Sequence, residues 1–274
     1  MEITMFKSVF ENLSLGVAIV DSSNQILQFN KHFSENFDIK IDALLLIKFD
    51  QLHPIFTEQP ISTFQQKTKF ITLSKKILTI RVKQYEDNLW LVEIEDISSQ
   101  EKESEDIYYR ANYDQLTKLP NRELFNDRCK QALSSAHRYQ ENLAIFFIDV
   151  DDFKSINDTY GHDAGDSILL ETAKRLIDSV RESDTVSRWA GDEFSILLPK
   201  IGQKENINQL LSRLIKNFTI PQQAKEFNIP VSLSIGISLA PKMGTDFNNL
   251  MKFADKAMYE AKKNDGIHYK YYSE

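Results

Sequence analysis

The sequence is poor in cysteine, tryptophan and glycine: its 274 residues include one, two and eight of these. The lone Cys129 can form neither an intrachain disulfide nor a Cys-x-x-Cys metal or redox site, which fits a reducing compartment. Long apolar runs are also missing. Ala43-Leu-Leu-Leu-Ile47 ends after a few residues, far short of the ~20 that span a bilayer. Met1 to Lys7 lacks the basic start and apolar core of a secretion signal. There is no excess of positive charge either: the net charge is −7. That argues against a broad footprint for nucleic acid or anionic lipid, while a local Lys/Arg cluster could still hold a nucleotide. With 42% hydrophobic and 27% charged residues, the expectation is a folded cytoplasmic protein with no membrane segment and no nucleic-acid partner.

What is present divides near residue 98. Gly16–Asp21 and Gln25–Phe29 flank a polar turn, and Ile77–Val82 and Leu89–Ile94 flank Glu86-Asp87-Asn88. With a short helix near Lys31–Phe37, residues 1–97 read as an α+β domain built on an antiparallel sheet. Residues 98–112 are polar, lack Gly and Pro, and are rich in helix formers. They predict a helical linker, either a solvated surface helix or a rigid connector; no sustained heptad marks it as a coiled coil.

Residues 113–274 carry a clearer order. Leu143–Ile148 is an apolar strand; Ile168, Leu169, Ala173, Leu176, Ile177 and Val180 recur at helical spacing; Thr185–Trp189 and Phe194–Leu198 form a hairpin around Ala190-Gly191-Asp192-Glu193. A helix follows with Ile207, Leu210, Leu211, Leu214, Ile215 and Phe218 on one face. Then Val231, Leu233, Ile235, Ile237 and Leu239 alternate with Ser and Gly as a half-buried strand. The order β-α-β-β-α-β is the ferredoxin-like arrangement, here with two further helices near Asn121–Tyr139 and Asp246–Lys263.

That topology brings the end of the first strand beside the hairpin turn, so Asp149 approaches Asp192 and Glu193. Three carboxylates in one place repel unless something neutralises them. Hard oxygen donors suit Mg²⁺ carrying a phosphorylated substrate, whereas solvated loop acids are the commoner fate of any one Asp. The stretch 153–166 reads as a loop leading into a helix, with Lys154 and backbone N–H groups available to phosphate. Asn157 and Asp166 offer what a guanine edge requires, an amide and a carboxylate acceptor. On spacing alone, Gly161, Gly165 and Asp166 serve equally well as turn and cap residues.

Five motifs occur in an order that resembles the GGDEF-family diguanylate cyclases: DQLTKLPNRELF (114–125), FIDVDDFKSINDTYGHDAGD (147–166), RWAGDEF (188–194), SLSIGIS (232–238) and ADKAMYEAKK (254–263). The resemblance implies a nucleotidyl-cyclase-type domain that condenses two GTP into cyclic di-GMP plus pyrophosphate. It implies two Mg²⁺ (or Mn²⁺) ions per site, held by Asp149, Asp192 and the Val150 carbonyl, with Glu193 as general base. Phe153, Lys154 and Lys262 match phosphate-contacting positions, His162 a substrate contact, and Asn157 and Asp166 the guanine-reading pair. Because each catalytic domain holds one GTP, the resemblance implies a homodimer with the active site at its junction. Arg181-Glu-Ser-Asp184 matches the family's RxxD product-inhibition site; the plain reading is an Arg at a helix end followed by a turn Asp.

Two departures stand out: Ala190 replaces the first signature glycine, giving an AGDEF variant, and Asp265-Gly266 replaces the usual Gly followed by Arg or Lys. They give some weight to a catalytically weak domain acting as a cyclic di-GMP receptor or dimerising scaffold. The first half, chiefly residues 9–37 and 89–102, looks like a PAS sensory domain. The resemblance names no ligand for it. The absence of cysteine from 1–97 excludes flavin–cysteinyl chemistry there, and His32 and His53 are its candidate haem nitrogens, although isolated histidines are more often surface or core residues.

Overall fold

The computed structural model describes residues 9–37, 39, 44, 47–202, 204–224, 227–263 and 268–273. Met1–Lys7, most of the apolar stretch 43–47 and the Asp265-Gly266 pair lie outside them. Two compact units divide the chain at residues 107 and 108.

In the first unit, β1 (Gly16–Asp21), β2 (Ile26–Phe29), β3 (Thr68–Ile71), β4 (Ile77–Glu86) and β5 (Leu89–Asp96) form an antiparallel sheet in the order β2-β1-β5-β4-β3. Strand β3 has no clear signal in the sequence. Between β2 and β3 lie α1 (Lys31–Asn36), α2 (Pro54–Glu58) and two short 3₁₀ turns. The buried face is aromatic, with Phe33, Phe49, Phe56, Phe64 and Phe70 packed on Ile80, Val92 and Ile94. His53 does not fit a haem ligand: Nδ1 accepts from Ile55 N–H at 3.2 Å and Nε2 lies 2.9 Å from the Ile71 carbonyl. His32 lies beside Glu35 at 3.0 Å.

Helix α3 (Ser98–Asn112) contains no buried residue. Its Tyr108 and Tyr109 contact Tyr113 at ring separations of 6.3 and 5.1 Å.

In the second unit, α4 (Arg122–Tyr139) precedes β6 (Asn142–Val150), α5 (Phe153–Tyr160), α6 (His162–Ser179), β7 (Thr185–Ala190) and β8 (Glu193–Ile201). Then come α7 (Lys204–Thr219), a small hairpin of β9 (Gln222–Ala224) and β10 (Phe227–Ile229), β11 (Leu233–Ala240), α8 (Phe247–Ala261) and β12 (His268–Tyr271). The sheet order is β12-β11-β6-β8-β7. Strand β6 is apolar from Leu143 to Ile148 because both faces are covered there. Phe146 and Ile148 join a core with α6 and α7, while Ile145 and Phe147 join one with α4 and α8.

Three expectations need correction. Residues 153–160 form helix α5 rather than a loop, turning at Gly161 into α6. Ile177 and Ile215 are partly exposed, at 49% and 37%; at 100° per residue they fall outside the stripes that bury Leu169, Ala173 and Leu176, and Leu210, Leu211 and Leu214. Strand β11 is not half-buried, because Ser234, Gly236 and Ser238 are as hidden as its isoleucines. Helix α8 packs directly on them. A Cβ at Gly236 would come within 1.9 Å of the Ala254 carbonyl oxygen and 2.3 Å of Met258 N, so small residues here mark close packing rather than solvent.

Candidate active site

The site forms where β6, β8 and β11 end together. Asp149 lies opposite Glu193 on one side and Ser234 on the other, so the three occupy one row across the sheet. The turn joining β7 to β8 is only Gly191-Asp192, because Ala190 and Glu193 already pair within the strands. Glu193 is thus fixed by sheet register, not carried on a loop. Ala190 is exposed in strand conformation, where an added methyl meets no steric bar. The Val150 N–H donates to the Asp192 carbonyl at 3.2 Å, tying the strand end to the turn.

A second brace fixes that turn from outside. Arg188 donates through Nη1 to both Asp114 carboxylate oxygens, at 3.0 and 3.2 Å, and through Nε to the Gly191 carbonyl at 2.9 Å. Burial disfavours charge on Asp114, yet hydrogen bonds from Thr117 and the Arg188 guanidinium hold its pKa below the usual value. The sequence reading missed both residues. Their signal was the placement of an acid and a base at the edges of two quoted motifs.

Asp149 is 8% exposed. Its pKa is raised by burial, with Asp192 and Asp151 adding repulsion and Lys262 opposing it. Burial likewise raises Glu193, reinforced by Asp149, Asp192 and Asp255. Among the described residues, no three His, Cys, Asp or Glu side chains are gathered as a metal-ligating group. The expected three-carboxylate cluster is therefore not closed. Its neutralising charge is Lys262, whose Nζ donates to Asp149 Oδ1 at 2.6 Å. Burial works against the ammonium, but the Asp149 contact keeps its pKa above the ordinary value. A buried carboxylate, a nearby second one and backbone carbonyls are a hard-oxygen donor set, so the residues suit a divalent ion of the Mg²⁺ or Mn²⁺ type.

The candidate nucleotide residues lie on α5 and α6. Phe153 packs at the edge of the core, Lys154 is exposed in the first turn of α5, and Asn157 is half-buried. His162 and Asp166 are exposed in the first turns of α6. Gly165 allows the two helices to meet: a Cβ there would lie 1.9 Å from Asn157 Oδ1 and 3.2 Å from Phe153 Cζ. The Asn157 amide therefore sits beside the backbone next to Asp166. Lys263, just past α8, lies over the Tyr259 ring at 5.6 Å.

Arg181 and Asp184 come together elsewhere, after α6. Asp184 Oδ2 accepts from the Arg181 N–H at 2.9 Å, and Asp184 N–H donates to the Arg181 carbonyl at 3.0 Å. Together with Leu210, Arg213, Pro199 and Lys200 they line a small hollow of about 30 Å³. The turn accounts for Asp184 and leaves the exposed Arg181 side chain outside these bonds.

Residues 111–267 match the family model described as Diguanylate cyclase, GGDEF domain. The chain is 37% identical over 202 residues to the signaling protein YkoW of Bacillus subtilis, covering 73% of this chain and 25% of that protein. It is 43% identical over 152 residues to the bifunctional diguanylate cyclase/cyclic di-GMP phosphodiesterase MucR of Pseudomonas aeruginosa, covering 56% and 22%. A solved structure of only the GGDEF domain of TpbB (YfiN) from Pseudomonas aeruginosa aligns with a TM-score of 0.57 at 38% identity. That alignment covers 59% of this chain and 94% of the other. The alignments with YkoW and MucR thus span about a quarter of each relative's length. No helix among the described residues is long and apolar enough to cross a membrane. The chain belongs to the diguanylate cyclase GGDEF-domain family.

Proposed function

We propose that this protein is an active diguanylate cyclase, joining two GTP molecules into cyclic di-GMP with release of pyrophosphate. The observation that carries the reading is the row formed by buried Asp149 and Glu193 beside the Asp192 turn. It puts a hard-oxygen donor set next to a carboxylate whose raised pKa suits proton transfer.

In this reading Asp149, Asp192 and the Val150 carbonyl would hold two Mg²⁺ or Mn²⁺ ions. A divalent ion held by these residues would supply polarisation of the α-phosphate and acidification of the attacking 3′-hydroxyl. Glu193 Oε accepts the hydroxyl proton. Asn157 and Asp166 read guanine, while Phe153, Lys154, His162 and Lys262 contact the remainder of the nucleotide. Arg188 keeps the turn, and hence Asp192, in place. One domain binds one GTP, so a second copy must present the opposing hydroxyl in a homodimer. Correct alignment of the two can lower the barrier by about 7–11 kcal/mol.

The five-stranded antiparallel unit, with its helices between β2 and β3, supports the PAS-like reading of residues 1–97. We read it as the regulator, acting through helix 98–112 on how the catalytic domains of 113–274 meet. Arg181 and Asp184 are the product-inhibition site. The core order β-α-β-β-α-β, with β6 central, supports the ferredoxin-like assignment of that domain. The receptor or scaffold alternative rests on the Asp265-Gly266 departure; the retained Asp149, Asp192, Glu193, Asn157 and Asp166 favour the enzyme.

The test is to incubate the purified full chain with GTP and Mg²⁺ or Mn²⁺ and separate the nucleotides. Cyclic di-GMP and pyrophosphate should form, and Asp149→Asn should abolish both. Tight cyclic di-GMP binding without turnover at any protein concentration would establish the receptor instead.

A further inference from the structure

Asp149 is nearly inaccessible, whereas Lys262 keeps its side chain 44% exposed. The lysine follows the last turn of α8, and its backbone N–H is fixed to the Met258 carbonyl at 3.0 Å. The side chain therefore reaches the carboxylate from solvent, with its root held by the helix. The close approach of α8 to Gly236 sets the height of that root above the sheet. The other charged groups acting on Asp149 at this edge are acids: Glu193 directly opposite, Asp192 on the turn and Asp151 two residues along the chain. Asp151 is partly occupied by a hydrogen bond from Ser234 Oγ at 2.7 Å.

We infer that Lys262 is a resident cation that occupies Asp149 while the site is empty and transfers to nucleotide phosphate when a metal–nucleotide complex arrives. This inference rests on the reading of the site given above and adds to it an order of binding. Asp149 Oδ1 holds the ammonium at 2.6 Å, so a divalent ion on either oxygen of that carboxylate is placed within a few ångströms of a second cation and is repelled by it. Free metal must therefore expel the ammonium into water without compensation. A metal carrying a triphosphate brings the phosphate that the displaced ammonium can pair with, so the two exchanges offset each other. The lysine lowers affinity for bare metal and raises affinity for metal-bound nucleotide. Charge balance requires the same. With Lys262 on Asp149, the buried acid has a counter-charge in the unloaded protein without a bound ion.

The two effects have opposite signs, which a simple phosphate-binding lysine would not produce. The experiment measures Mn²⁺ binding to the full-length protein by electron paramagnetic resonance, first without nucleotide and then with a non-hydrolysable GTP analogue. Lys262→Met should bind free Mn²⁺ about two- to fivefold more tightly than the unaltered protein, the range expected for losing a partly exposed competing ion pair. Its affinity for the analogue in Mn²⁺ should fall by at least the same factor. Lys262→Arg should restore weak binding of free metal. If Lys262→Met binds free Mn²⁺ no more tightly than the unaltered protein, the exchange is refuted. Asp149→Asn separates that failure from a failure of the site itself. If Asp149→Asn leaves nucleotide-dependent Mn²⁺ binding intact, Asp149 is not a ligand and the underlying reading falls with the exchange. If it removes that binding while Lys262→Met changes nothing, only the exchange falls. Thermal unfolding of each variant confirms that the comparison is between folded proteins.

Discussion

Replacing Gly236 by alanine tests how the sheet positions the catalytic edge. The new Cβ would lie 1.9 Å from the Ala254 carbonyl oxygen, 2.3 Å from Met258 N and 2.9 Å from Met258 Cα. All three are backbone atoms of α8, so no side-chain rotation relieves the clash. The helix must lift by roughly 1 Å to bring the shortest approach to the 3 Å where real Cβ contacts begin. It carries Leu250, Met251, Ala254 and Met258 out of register with Phe147 and Phe125. Overpacking of this kind costs about 1–3 kcal/mol. For a domain of this size that lowers Tm by about 3–9 °C. Lys262, one residue past the helix, moves with it and its 2.6 Å contact with Asp149 lengthens. Differential scanning calorimetry and GTP-analogue titration should therefore show a coupled loss of stability and nucleotide affinity. Ser238→Ala, on the same face of β11, removes a buried hydroxyl that has no hydrogen-bond partner and should stay within about 0.5 kcal/mol of the unaltered protein. A Gly236→Ala protein that keeps both its Tm and its nucleotide affinity would refute the claim that close packing sets the position of Lys262.

Burial and neighbouring acids raise the folded-state pKa of Glu193, so the folded protein holds that proton more tightly than the unfolded chain, and its charge costs stability above the raised pKa. Glu193→Gln should stabilise the unloaded protein by about 0.5–2 kcal/mol at neutral pH while abolishing turnover. In urea titrations across pH the gain should shrink as pH falls through the raised folded value toward the ordinary carboxylate range; a gain independent of pH would refute the charge argument. Arg188→Ala removes two bonds to Asp114 and one to Gly191, and should cost about 1–3 kcal/mol and lower kcat. An unchanged kcat would show that the turn holds itself. Arg181→Ala should raise the cyclic di-GMP concentration for half-inhibition about tenfold or more, since a charge-assisted contact is lost. It should leave Tm unchanged, because the backbone of Arg181 makes the turn; identical inhibition curves would reject the site.

Periodicity and motif order made much of the molecule legible in advance. Leu143–Ile148 reads as a strand because six consecutive apolar residues between polar boundaries have strand length. The stripes that begin at Ile168 and Ile207 read as helices because their apolar residues recur at three- and four-residue intervals. Topology and ordered motifs then single out Asp149, Asp192 and Glu193 as the candidate site. Short elements with mixed composition escaped: Thr68–Ile71 pairs with β4 only because the neighbouring strand offers unfilled backbone partners, and α5 was hidden among loop-like Asn, Asp and Gly residues.

The sequence by itself determined which residues carry charge, which can be buried, and which local stretches repeat at 2.0 or 3.6 residues, because those are properties of side chains and short spans of backbone. Tertiary structure alone decided that Lys262 meets Asp149 across 113 positions of chain, that Arg188 joins Asp114 to Gly191, and that the small residues of β11 face a helix instead of water. These are contacts between distant segments. They are set by how closely two surfaces approach, and an approach of an ångström leaves no trace in one-dimensional spacing.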